Sequence, residues 1–70
     1  MRKLNRNEAS IEAYLRNTFG FVTIKNLQDD VYLKGANKRH TLETALRYLL
    51  VTRRITRLNL GVRGWVYGTD

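Results

Sequence analysis

Apolar residues recur in three stretches at helical spacing, followed by one stretch at strand spacing. Ile11, Tyr14, Leu15 and Thr18 define a first helix over residues 7–18, with Ile11 and Leu15 facing inward. Asn5 lies three residues before Glu8, the spacing of a capping box, and Gly20 is a natural stop after the last turn. Phe21-Val22-Thr23 is β-prone but too short for a sheet of its own. Thr23 can cap a second helix over residues 24–33, in which Ile24, Leu27 and Val31 share a face and Asp29 and Asp30 point outward. The stretch KGANKRH, residues 34–40, reads as a turn and the approach to a third helix.

The longest apolar stripe is Leu42, Ala45, Leu46, Leu49 and Leu50, which places the third helix over residues 41–52. Arg39, Thr41, Glu43, Thr44, Arg47 and Tyr48 fall on its other side. Ile55, Leu58 and Leu60 then switch to alternation, Gly61 and Gly64 bracket Val62-Arg63, and Trp65-Val66-Tyr67 is β-prone again. This predicts a hairpin with its tip between Asn59 and Gly64. Ile55, Leu58, Trp65 and Val66 are expected to pack on the core. Phe19 and Phe21, flanking Gly20, are expected to pin the first helix to the sheet.

Seventy residues allow one domain with one modest core. The absence of cysteine excludes a disulfide framework and a thiolate metal site. No apolar run is long enough to span a bilayer, and MRKLNRNEAS has no apolar stretch behind its charges, so a cytoplasmic protein without a membrane partner is expected. Charge changes the picture more. The formal net charge is +7, and it is unevenly placed. Residues 1–33 carry five basic and four acidic side chains, whereas residues 34–63 carry eight basic ones against Glu43 alone. A one-sided positive field concentrates polyanions, nucleic acid above all.

Catalytic constellations are not expected, and neither is a cofactor or metal. His40 is the only histidine and Ser10 the only serine, and no partner stands at a diagnostic spacing. Asp29 and Asp30 are adjacent on a helix and point about 100° apart, so they serve to cap charge or to pair with Lys25 or Lys34. The glycines of the hairpin do not precede a helix, as a phosphate-binding loop requires.

The order helix, short strand, helix, turn, helix, hairpin resembles a winged helix-turn-helix domain over residues 7–67, with residues 1–6 as a basic arm and 68–70 as a tail. The residues that carry the likeness are Leu42, Leu46 and Leu49, then Arg53-Arg54-Ile55, then Gly61 and Gly64-Trp65-Val66 of the wing. The resemblance implies an α+β fold: three helices with a C-terminal two-stranded β-hairpin wing, whose strands the first short strand joins. Arg53 departs from the pattern. Family members usually have a glycine there, which leaves the end of the third helix open by a residue or two.

The resemblance also implies a double-stranded DNA-binding domain, either a transcriptional regulator or the DNA-docking module of a replication or recombination protein. Its third helix would then read the major groove. Arg39, His40, Thr41, Thr44, Arg47 and Tyr48 have suitable chemistry there, and Arg47 could fork onto a guanine. Lys38, Arg54, Arg57 and Arg63 would hold phosphates or the minor groove, and Arg2, Lys3 and Arg6 could add phosphate contacts. Neutralising about six phosphates implies a salt slope of about −5. The alternative is a protein-interaction module, such as a phage-type inhibitor or adaptor, using its basic face on an acidic partner. A second copy of the chain is another candidate partner.

Overall fold

The computed structural model describes residues 2–35 and 37–69, apart from the side chain of Arg63. Helix α1 (Arg6–Arg16) begins at the expected capping box. The Glu8 N–H donates to Asn5 Oδ1 at 2.8 Å, and the Asn5 N–H donates back to Glu8 Oε1 at 2.9 Å. Ile11 and Leu15 are fully buried, as their spacing requires. The helix stops short of residue 18: the Thr18 N–H donates to the Leu15 carbonyl, three residues back instead of four, and the Thr18 hydroxyl donates to the Tyr14 carbonyl.

Strand β1 (Val22–Thr23) runs directly into α2 (Ile24–Asp30), where Thr23 Oγ1 accepts the Asn26 N–H at 3.2 Å. The reading of this helix out to residue 33 is corrected. Val31 already has extended backbone (φ −106°, ψ 126°), and from there burial alternates: Val31 in, Tyr32 out, Leu33 in. A period of two carries both apolar residues to the core without a helix. Asn7 clips this segment to α1, its side chain exchanging two 3.0 Å hydrogen bonds with the Lys34 backbone. Asp30 pairs with neither Lys25 nor Lys34; it accepts the Tyr14 hydroxyl at 2.7 Å and so joins α2 to α1.

Helix α3 (Lys38–Val51) starts a turn before the expected residue 41. Asn37 is the cap, accepting the His40 N–H at 3.0 Å, so the basic residues Lys38 and Arg39 form the first turn instead of a loop. Leu42, Ala45, Leu46 and Leu49 face the core. At the other end Arg53 has φ 61°, the one positive φ outside glycine among the described residues. The Arg53 N–H donates to the Leu50 carbonyl at 3.0 Å and the Arg54 N–H to the Leu49 carbonyl at 2.9 Å. Those two bonds make a Schellman motif, with arginine in the left-handed position that glycine usually fills.

Strands β2 (Thr56–Asn59) and β3 (Trp65–Gly68) form the hairpin, and β1 pairs with the far edge of β3. The result is a small α+β domain of three helices and a three-stranded antiparallel sheet in the order β1-β3-β2, not an isolated two-stranded ribbon. The register places Val22 and Arg57 on either side of Tyr67, and Thr23 and Leu58 on either side of Val66. Gly68 belongs to β3 instead of the expected tail, and its missing side chain admits the Phe21 ring, which a Cβ there would meet at 3.1 Å. Two apolar expectations are overturned here. Phe19 is fully exposed and pins nothing, and Leu58 is half exposed because it lies on the sheet face turned away from the helices. No helix among the described residues is long and apolar enough to cross a membrane.

Candidate nucleic-acid interface

Helix α3 exposes one strip opposite its buried residues: His40, Thr44, Arg47 and Val51, at i, i+4, i+7 and i+11. Its flanks are committed to other contacts. On one side Arg39 Nε lies 2.7 Å from Glu43 Oε1, an i,i+4 pair that lies along the helix. On the other, Thr41 is half buried against the loop before α3. A Cβ on Gly35 would lie 2.6 Å from Thr41 Oγ1, so the glycine makes room for that hydroxyl.

Tyr48 is also occupied. The Arg2 guanidinium stacks on its ring at 3.9 Å, and the Tyr48 hydroxyl donates toward the Arg2 carbonyl at 3.5 Å. Arg2 itself forks onto the Glu8 carboxylate at 2.8 and 2.7 Å. That hydrogen bond, more than any other contact, holds the Glu8 carboxyl below its ordinary range. Burial opposes it, while the Asn5 N–H and the Arg2 charge reinforce it. The expected free basic arm is therefore anchored through Arg2, and Leu4 packs against the core behind it.

The remaining expected contacts fall in separate places. Arg54 Nη1 reaches Glu12 Oε2 at 3.2 Å, and Arg16 approaches the same carboxylate at 3.8 Å, so Arg54 faces α1 instead of the outer strip of α3. Arg57 lies on β2 with its guanidinium 4.2 Å over the Trp65 ring. Trp65, expected in the core, is 42% exposed: it lies on the helix-facing side of the sheet but next to the hairpin tip, paired with Asn59. Lys38 is exposed in the first turn of α3. Arg63 lies in the turn at the hairpin tip, and its side chain is outside the description.

Of the nine expected residues, Arg39, Arg47 and Arg57 line one cleft between α3 and the sheet. Thr41 and Thr44 line a different depression beside Asn5 and Asn7, and Arg54 a third beside Arg16 and Arg53. Val51 and Trp65 were not expected at the interface, whereas His40, expected among the groove-reading residues, lies on the exposed strip. Val51 is 74% exposed: it follows Leu49 and Leu50 in sequence, but at 100° per residue it falls on the side opposite Leu42, Ala45, Leu46 and Leu49.

Among the described residues, no cluster of histidine, aspartate and glutamate could hold a metal ion. Comparison with protein-family models, with curated proteins and with solved structures finds no match to this chain.

Proposed function

We propose that the chain is a winged-helix domain that docks on double-stranded DNA. The outer strip of α3 enters the major groove and the β2–β3 hairpin lies along the backbone. One observation carries this reading: α3 and the hairpin present cations that no carboxylate among the described residues engages. Glu8, Glu12 and Glu43 bind Arg2, Arg16, Arg54 and Arg39, while Lys38, Arg47 and Arg57 have no ion pair among the described residues. These three lie on α3 and the adjoining hairpin, whereas Lys3, Arg6, Lys25, Lys34 and Arg53, also without an ion pair among the described residues, lie in the N-terminal segment, α1, α2, the loop before α3 and the turn after it. Such a surface suits a polyanion, and a helix strip bearing threonine, histidine and arginine suits base edges.

Contact roles in this proposal go to the residues least engaged within the chain. Arg47 and Thr44 are the base-reading candidates, joined by His40. Lys38, Arg57 and, from its place in the sequence, Arg63 contact the backbone. Arg39, Thr41, Tyr48 and Arg54 act as supports. The test is binding of a fluorescent duplex by four variants. Arg47→Ala should lose about 1–3 kcal/mol and relax preference at one base pair, and Arg57→Ala should weaken all sequences alike. Arg54→Ala and Tyr48→Phe should bind as the parent does. Equal binding by all four variants would place the interface elsewhere.

A further inference from the structure

The cleft that holds Arg47 and Arg57 contains more than a duplex would use. Its volume is about 530 Å³, and its floor is apolar: Ile24 from the start of α2, Leu46 and Leu50 from α3, and Trp65 and Tyr67 from β3. Ile24, Arg39 and Trp65 also wall an adjoining depression of about 570 Å³, which extends the groove along α2 between Lys25 and Asp29. A sugar-phosphate backbone has nothing to fill an apolar floor, whereas a large apolar side chain does. Trp65 and the arginine stacked on it are the residue types that dominate binding energy in protein interfaces.

The rim specifies the charge of the occupant. Arg47 and Arg57 stand without a carboxylate partner among the described residues, and Glu43 is engaged by Arg39. Asp29, at the far end, is the remaining carboxylate that faces the groove. We infer that this cleft takes an acidic peptide whose leucine or aromatic anchors sit against Trp65 and Leu50, with flanking carboxylates on Arg47 and Arg57. Apolar anchors at i and i+4 on a short amphipathic segment match a groove of this form. The inference stands apart from the duplex reading. Where both hold, peptide and duplex exclude each other, because they share two arginines.

Trp65 is the chain's only tryptophan and reports the cleft directly. The full chain is titrated at about 150 mM salt with two glutamate-rich peptides of equal charge, one carrying leucines at i and i+4 and the other alanines. A 20-base-pair duplex is titrated in parallel. The leucine peptide should bind at least about tenfold more tightly than the alanine peptide and shift Trp65 emission to the blue. Val51→Glu, at an exposed position on the rim that the fold tolerates, should remove the preference. Equal affinity for the two peptides would overturn the inference, reducing the cleft to a polyanion surface. So would binding of the duplex alone, or a Val51→Glu chain that keeps the preference. Duplex binding is scored in its own titration, so either reading can fail without the other.

Discussion

Replacing Arg53 by glycine tests how α3 ends. Arg53 has φ 61° at the left-handed position of a Schellman motif. That conformation costs an L-residue about 1–2 kcal/mol. Glycine is free of that cost but adds about 0.5–1 kcal/mol of unfolded-chain entropy. It also removes a cation at the helix C-terminus, where positive charge contributes about 0.3–1 kcal/mol. The clean comparison is therefore between Arg53→Gly and Arg53→Ala, which both lose the charge. Glycine should be the more stable by about 0.5–1 kcal/mol, or about 3–6 °C in Tm for a domain of this size. Arg53→Ala should fall below the parent by the charge contribution alone. Thermal melts followed by circular dichroism read all three proteins. If the alanine variant equals or exceeds the glycine variant, Arg53 is not held at positive φ and the helix ends differently.

Three further perturbations probe the scaffold. Leu46→Ala, at a residue only 2% exposed in the middle of α3, should cost about 2–5 kcal/mol in a denaturant melt; a loss below about 1 kcal/mol would mean that α3 does not pack through this face. Gly35→Ala forces a Cβ against Thr41 at a φ of 152° and should destabilise by about 1–3 kcal/mol, partly restored by adding Thr41→Ala. Glu8→Gln weakens the bond to Arg2. Because the folded-state carboxyl is held below its unfolded value of about 4.3, its contribution is present above that pH and is lost as pH falls through the folded value. The Tm gap between parent and Glu8→Gln should therefore be widest at neutral pH and close below about pH 4; a gap independent of pH would contradict the pairing.

The parts of the fold legible in the sequence are those that local chemistry dictates. Asn5 with Glu8, and Thr23, announced two helix starts that the structure places at the same residues, and Gly61 and Gly64 marked the hairpin tip. The misread parts depend on competition between patterns. Val31 and Leu33 satisfy helical spacing with Leu27 and also satisfy alternation, and only packing against α1 and α3 decides for alternation. The same holds at the candidate interface. That residues 34–63 are basic was plain, but not which cations are already spoken for. Arg54 and Glu12 are 42 positions apart and meet only because α3 crosses α1. Arg2 reaches Tyr48 across 46 positions, so a residue read as a free arm is a brace under α3.

That accounting of cations bears directly on the central proposal. The expectation from the sequence is about six neutralised phosphates and a salt slope of about −5. With Arg39 and Arg54 held by Glu43 and Glu12, and Arg47 directed at a base edge, about three remain for phosphates, namely Lys38, Arg57 and Arg63. The decisive measurement is duplex affinity by fluorescence anisotropy between about 50 and 200 mM salt. The account predicts a linear fall of log affinity with log salt at a slope of about −3, shallower by about one in Arg57→Ala and unchanged in Arg54→Ala. Affinity that does not change with salt, or no duplex binding at the lowest salt, would contradict it.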